Sequence, residues 1–320
     1  MIIVTGCNGF IGSNLVSQLN KMNLKNIIGV DDLSKKENLN NIAHCEMENL
    51  LDIEEFENKY LDSTKSFSEI TQIFHQGACS NTMEWDGEYM MKNNYTFSKK
   101  LYEFAENNSA AFIYASSASV YGNGKEFEEK KENENPINLY AFSKYLFDQL
   151  IRQKIKESKI QIVGMRYFNV YGPNEAHKGH MASVAYHLHQ QLEKGGEVKL
   201  FEGSDGYEAG EQRRDFVYVD DVIKVNLWFM KNPEISGIFN VGTGKSQTFN
   251  EVANAVIDYH GKGSIQYIPF PEELVGSYQS FTEADINKLR QAGYKEDFLE
   301  VQSGVQLYLE KLSNWPKNES

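Results

Sequence analysis

The sequence predicts an α/β protein: a doubly wound parallel sheet joined by a smaller C-terminal α/β domain. Three observations carry that expectation. Short β-branched runs alternate with helix-length amphipathic segments along the chain. The runs are apolar almost throughout, as strands covered on both faces must be. A glycine-rich turn, Gly6-Cys7-Asn8-Gly9-Phe10-Ile11-Gly12, joins the first run to the first helix. At 320 residues, 41% hydrophobic and 24% charged, the chain has the content for one large or two intimate domains and is not of disordered composition.

Taken in order, the strand candidates are residues 2–5, 27–30, 70–75, 111–116, 161–166 and 238–241. Helices are expected over 11–22, 95–107, 140–155, 184–194 and 250–259. Residues 1–168 with 215–243 are assigned to a dinucleotide-binding domain, and 169–214 with 244–313 to a substrate-binding domain. The acidic run at 126–134, broken by Phe127 and Asn133, reads as a solvated loop or helix face. The Gly- and charge-rich stretch 202–213 reads as a mobile loop. Trp228 and Phe229 read as core.

Net charge excludes some partners. At −13, with a pI near 5.1 and no long Lys/Arg run, the chain is poorly suited to sequence-independent nucleic-acid binding. No run of about 18 apolar residues exists for a membrane span, and no basic n-region precedes the first strand, so neither an anchor nor a signal peptide is expected. Cys7, Cys45 and Cys79 are odd in number and widely spaced, unlike a disulfide framework or a zinc site. A reducing cytoplasm is the expected compartment.

The glycines suit a dinucleotide. They allow a tight turn, a close backbone approach to a pyrophosphate and tight helix–strand packing, while the helix N-terminus offers unpaired N–H groups. Asp31 ends the second strand about 20 residues later, where an acid binds a ribose hydroxyl. Lys35 and Lys36 follow and could neutralise a 2′-phosphate, so NAD and NADP both stay open.

Tyr140 and Lys144 stand four apart on a predicted helix and share one face. A phenol with a pKa near 10 is a poor base at neutral pH. A positive charge ~5 Å away, at an effective dielectric of ~20, is worth roughly 3 kcal/mol, about two pKa units. Lysine and an oxidised nicotinamide would thus make Tyr140 a usable acid/base, with Ser117 at a strand end bonding the reacting hydroxyl. His177, His180, His187 and His189 cluster in sequence, but His187 and His189 fall on different helix faces and the group lacks zinc-site spacing; no metal is expected.

Together, Gly6 to Gly12, Ser117, Tyr140 and Lys144 resemble the extended short-chain dehydrogenase/reductase family that acts on nucleotide sugars. Over nearly its whole length the chain is similar to that family's ADP-heptose 6-epimerases. The residues that carry this are His75-Gln76-Gly77-Ala78-Cys79-Ser80, Glu84-Trp85-Asp86-Gly87, Arg166-Tyr167-Phe168-Asn169-Val170-Tyr171-Gly172-Pro173, His177-Lys178-Gly179, Phe201-Glu202-Gly203-Ser204 and Arg214-Asp215-Phe216-Val217-Tyr218-Val219. The resemblance implies a Rossmann fold and transient oxidation at C6 of ADP-D-glycero-D-manno-heptose by a tightly held cofactor, NADP in the family's usual case. It also implies a homopentamer.

Residue by residue, the resemblance implies Tyr140 and Lys178 as two acid/base groups, with Lys144 and Ser117 assisting. It implies cofactor contacts from Gly6, Gly9, Phe10, Ile11, Gly12, Asp31, Asp32, Gln76, Gly77, Ala78, Cys79, Ser80, Asn93, Lys144, Val170 and Lys178. Substrate contacts fall to Asn169, His180, His187, Phe201, Glu202, Gly203, Ser204, Arg214 and Tyr278. Asp32 stands where the family has Asn, Asn174 where it has Arg and His180 where it has Ser, and the stretch 205–212 is longer than usual. A 4,6-dehydratase would carry an Asp-Glu pair where Ala118 and Ser119 stand. A 4-epimerase has the same Ser/Tyr/Lys set without a need for Lys178. A nucleotide-sensing regulator on this fold would not require Ser117, Tyr140 and Lys144.

Overall fold

The computed structural model describes residues 1–272 and 279–314. Along the chain run β1 (Ile2–Thr5), β2 (Ile27–Asp31), β3 (Asn49–Asp52), β4 (Gln72–His75), β5 (Ala111–Ser117) and β6 (Ile162–Tyr167). Then come β7 (Asn169–Tyr171), β8 (Glu197–Phe201), β9 (Arg213–Arg214), β10 (Phe216–Tyr218), β11 (Gly237–Val241), β12 (Gln247–Thr248) and β13 (Ser264–Ile268). Seven of these form one sheet in the order β11-β6-β5-β4-β1-β2-β3, parallel at every joint. The central strands are buried at nearly every residue, so β1 reads as an apolar run, while β4 and β6 also bury Gln72, His75 and Arg166, each hydrogen-bonded.

From β1 the chain winds outward through β2 and β3, then crosses back to β4 on the other side of β1. That reversal opens a crevice at the carboxyl ends of β1 and β4. Gly6 and Gly77 meet there: a Cβ on Gly6 would lie 2.6 Å from the Gly77 amide nitrogen. The helix Phe10–Lys21 starts above the crevice from Gly9, with no side-chain cap and no acid in its first turn. Its first N–H groups are thus left for another acceptor.

The helix Leu139–Lys154 starts from Asn138, whose side chain accepts from the Ala141 amide, and buries Ala141, Ser143, Lys144, Phe147, Asp148 and Ile151 at three- to four-residue spacing. A buried charge cluster pins it to the sheet. Asp148 accepts from Arg166 Nε at 2.9 Å, Tyr114 Oη at 2.8 Å and Ser116 Oγ at 2.9 Å. Arg166 also pairs with Glu134, both of whose oxygens Arg152 grips as well, and its guanidinium lies 4.9 Å from the Tyr121 ring centre.

The later segments form three two-stranded pairs: β7 with β10, β9 with β12, and β8 with β13. The helices Val184–Lys194, Phe249–His260 and Val301–Asn314 pack around them. Thr248 and Glu251 close a reciprocal cap at the start of the second of these. The six expected strands and five expected helices are present within two residues at each end. The sequence reading omitted β3, an edge strand of four residues with no long apolar run, β8, whose charged alternation hides it, its polar-alternating partner β13, and the two- and three-residue strands β7, β9, β10 and β12. The helix expected from residue 95 follows a π-helical stretch, Lys92–Thr96, and becomes regular over Phe97–Asn108. The 202–213 segment is pinned: Gly210 donates to the Phe201 carbonyl at 3.1 Å and Gln212 Nε2 to the Glu202 carbonyl at 3.0 Å.

Candidate active site

The glycine turn is shaped by close approach. Gly6 has φ +69°, donates to the Val30 carbonyl at 2.8 Å and accepts from the Gly9 amide at 3.1 Å. A Cβ on Gly12 would strike the Gly6 carbonyl oxygen, so helix and turn touch only because that carbon is missing. Asp31 at the end of β2 accepts the Asn8 amide at 2.9 Å and the Asp32 amide at 2.8 Å, and burial pushes its carboxyl above the usual value. Asp32 is lowered by the Ser34 hydroxyl and lies 3.6 Å from Lys35 Nζ. Phe10 is buried, with Ile11 half-buried beside it.

Across the crevice, Gln76 is fixed by Asn226 Oδ1 at 3.1 Å and by the Tyr167 hydroxyl at 3.0 Å, and Gly77 donates to Thr5 Oγ1 at 3.3 Å. Ala78 and Ser80 are exposed and Cys79 half-buried between them. Asn93, singled out by resemblance, bonds only the Tyr89 carbonyl at 2.7 Å among the bonds its side chain makes to described residues. Its buried neighbour Asn94 does more. Asn94 grips the Cys79 backbone from both sides, at 2.8 and 2.9 Å, and donates to Ser143 Oγ at 3.0 Å, which in turn donates to the Tyr140 carbonyl at 2.7 Å. The loop after β4 is thereby tied to the helix bearing Tyr140. No sequence signal marked Asn94; its π-helical setting is the structural one.

The expected reactive set converges at the end of β5. Ser117 Oγ accepts the Ser119 amide at 3.2 Å and stands by the Tyr140 phenol, whose ionised form it favours. Lys144 Nζ donates to the Ala115 carbonyl at 2.8 Å, and burial brings its pKa down to about 8. Tyr140 departs from the sequence expectation. Burial lifts its phenol above the ordinary value, Ser117 pulls against that, and Lys144 is not among the causes. Turned toward a backbone carbonyl, the ammonium does not lower the phenol in the protein alone. Beneath them His75 is buried between Thr5 Oγ1 at 2.6 Å and Ser98 Oγ at 2.7 Å, its pKa brought down to about 3 by burial and then by Lys144. It is a neutral support.

Lys178 comes from the opposite side. It sits on the short turn Ala176–Met181, with Gly179 at φ +55°, and its Nζ lies 5.3 Å from the Phe10 ring centre. Buried Glu175 closes this loop, accepting from the Gly172 amide at 3.2 Å and from the Ser183 amide and hydroxyl at 2.5 and 2.7 Å. Burial lowers the Lys178 pKa, against the pull of Glu175. Lys178 therefore stands at the glycine turn.

The expected substrate residues are spread around the later segments. Asn169 opens β7, exposed, and Val170 follows, half-buried. His180 is exposed and His187 half-buried. Phe201 ends β8, edge-on to Phe270 at 5.5 Å, with exposed Glu202 next to it. A Cβ on Gly203 would strike the Tyr207 carbonyl oxygen, and Ser204 Oγ accepts from Gln212 at 3.1 Å. Arg214 is buried with its guanidinium 5.7 Å from the Phe249 ring centre. It makes no ion pair with Asp215, whose carboxylate is filled by the Thr243, Gly244 and Ala284 amides at 2.7, 2.9 and 3.0 Å. Tyr278 lies outside the described residues.

Comparisons with known proteins follow the same lines. Residues 2–242 match the family model described as the NAD dependent epimerase/dehydratase family. The chain is 49% identical to the ADP-L-glycero-D-manno-heptose-6-epimerase of Alkalilimnicola ehrlichii, over 99% of this chain and 98% of that one. Its structure is similar to that of the Helicobacter pylori ADP-L-glycero-D-manno-heptose-6-epimerase, with a TM-score of 0.82, 31% identity and coverage of 98% and 96%. It is also similar to Thermus thermophilus UDP-glucose 4-epimerase in complex with NAD, with a TM-score of 0.78, 26% identity and coverage of 98% and 99%.

Proposed function

The chain belongs to the NAD dependent epimerase/dehydratase family, and from that premise we propose that it inverts C6 of the heptose in ADP-D-glycero-D-manno-heptose to give the L-glycero epimer. The observation that carries the reading is the Ser117–Tyr140–Lys144 set at the carboxyl end of β5, on the same edge of the parallel sheet as the glycine turn after β1, in a chain 49% identical over its length to a heptose-6-epimerase. The residues present fit a dinucleotide. The glycine cradle that a Cβ would fill and the uncapped helix above it suit a pyrophosphate, and Asp31 suits a ribose hydroxyl. We read 1–168 with 215–243 as the dinucleotide-binding domain and 169–214 with 244–313 as the substrate-binding one.

C6 carries a secondary alcohol with no adjacent carbonyl, so no side-chain base can remove its C–H hydrogen directly. When bound, the nicotinamide ring supplies a hydride acceptor and donor and, in its oxidised form, positive charge. Tyr140 takes the hydroxyl proton as C6 is oxidised, while Ser117 aligns that hydroxyl. Lys178, its pKa lowered by burial, is the second acid/base needed once the sugar presents its other face. Epimerisation run in heavy water should leave C6 free of deuterium while the hydroxyls exchange. NMR of the product reads this directly; solvent deuterium at C6 would sink the mechanism.

Arg214 is the planar cation suited to the ADP diphosphate, and Phe201 the apolar partner for its adenine. Arg214→Ala should weaken ADP-sugar binding by roughly 10- to 100-fold, the worth of a charge-assisted contact, with dinucleotide binding unchanged. Calorimetry with both ligands checks it. Equal loss of the two would make Arg214 a structural residue.

Two sets of charge bear on the cofactor's ribose. The resemblance carries NADP. The carboxylates of Asp31 and Asp32 carry NAD, since Lys35, the ammonium suited to a 2′-phosphate, lies 3.6 Å from Asp32. The mass of the cofactor released from gently purified protein separates them by one phosphate. A homopentamer completes the proposal on the strength of the resemblance and a reducing cytoplasm on that of the three widely spaced cysteines; among the described residues no helix is long and apolar enough to cross a membrane.

A further inference from the structure

We propose that His189, Glu193 and His260 form a site for one zinc-class divalent cation that clips two helices together, apart from the reacting groups. His189 and Glu193 stand four residues apart on the helix Val184–Lys194 and so share a face. His260 is the last residue of Phe249–His260, the helix packed against that face. His189 Nδ1 lies 2.9 Å from His260 Nε2, and His260 Nδ1 lies 3.7 Å from Glu193 Oε1. One ligand atom from each residue falls within 4.8 Å of the others.

Zinc bonds of about 2.0–2.2 Å in tetrahedral array place ligand atoms roughly 3.3–3.5 Å apart. One ligand atom from each residue stands within 4.8 Å of the others, so a short movement of the side chains brings them to one ion. Glu193 has the furthest to move and the freedom to do so, since its side chain is 54% exposed while that of His260 is 9% exposed. Two imidazoles and a carboxylate are a borderline donor set, suited to Zn²⁺, Co²⁺ or Ni²⁺ rather than to the all-oxygen preference of Ca²⁺ and Mg²⁺. A His260 ring bonded to His189 through one nitrogen and paired with Glu193 through the other also joins the three; a cation would instead draw one nitrogen of each ring and a Glu193 oxygen to a single point, and the metal titration separates the two. Water completes the fourth position.

Grouping histidines by closeness in sequence missed this arrangement. His177, His180 and His187 are not part of it, and the partners are one helical turn away and on a different helix. His187 lies two residues from His189 and so on the opposite side of its helix, so the cation would hold the substrate-side helices in register without entering the reaction.

The test uses the whole chain, untagged and stripped with a chelator. Zinc titrated by calorimetry should bind one ion per chain, and saturating zinc should raise the unfolding midpoint by several degrees. Cobalt should give the visible bands of a tetrahedral nitrogen–oxygen site with no thiolate charge-transfer band. His189→Asn and His260→Gln should each weaken zinc on the order of 100-fold, and Glu193→Gln on the order of 10-fold. Glu193 is too exposed for its replacement to unfold the chain, so one variant stays readable whatever the histidine variants do. No midpoint shift with zinc in the wild type, a thiolate band with cobalt, or zinc affinity unchanged in Glu193→Gln and the histidine variants would each overturn the proposal.

Discussion

Replacing Tyr140 by Phe should lower the epimerisation rate by about 10²- to 10⁴-fold, the worth of one general acid/base, while the protein keeps its fold and its cofactor. The ring stays, so packing in the first turn of the helix Leu139–Lys154 is preserved, and the substitution removes the phenol oxygen with its interaction with Ser117. Burial holds the free phenol above its ordinary value, so the charge that makes it a base must come mainly from the oxidised cofactor. Lys178→Met should fall in the same range in kcat. Its ammonium lies against Phe10 at the glycine turn, and burial already lowers its pKa. Steady-state kinetics separate the roles. A Lys178→Met variant with normal kcat and a raised KM would make the lysine a binding residue and leave Tyr140 as the sole base.

Much of this was legible in the chain itself, and the reasons differ by element. β1 and the turn after it announce themselves because a strand covered on both faces must be apolar and a pyrophosphate cradle must be glycine. Tyr140 and Lys144 were legible because helical period puts them on one face. The direction of the Tyr140 shift was not. It depends on the Lys144 ammonium turning to the Ala115 carbonyl and on how deeply the phenol is buried, and spacing encodes neither. Asn94 escaped notice because its partners, Cys79 and Ser143, are 15 and 49 residues away. Arg214 and Asp215 are neighbours in sequence, yet no ion pair joins them: three backbone amides fill the Asp215 carboxylate, and only the folded chain brings those amides to it. The partners of Arg166 were equally invisible, since Glu134 and Asp148 lie 32 and 18 residues away and only the folded sheet joins them.

That cluster carries the largest expected effect on stability. Arg166→Met keeps the volume in β6 but strips the guanidinium from two carboxylates that, like Arg166 itself, have fully buried side chains. Breaking such a cluster from one side costs about 3–5 kcal/mol, because the remaining charges are left in a medium that solvates them poorly. The unfolding midpoint should drop by roughly 5–7 °C, read by calorimetry at neutral pH. The loss should also depend on pH in a definite sense. Burial works to raise the Glu134 carboxyl, but Arg152 and Arg166 outweigh it and hold the group below its ordinary 4.5. A carboxyl lowered in the fold contributes stability above its unfolded pKa and loses it as pH falls. The variant has already forfeited the Arg166 share, so its deficit should be widest near pH 7 and narrow as pH drops below about 4.5. A shift of only a degree or two at neutral pH would mean that the cluster contributes little. The consequence reaches the chemistry through Asp148, one turn beyond Lys144 on the same helix and bonded to Tyr114, Ser116 and Arg166. With Arg166 gone, the helix that presents Tyr140 loses one of its ties to β5 and β6. At temperatures where the variant is still folded, kcat should therefore fall further than KM rises.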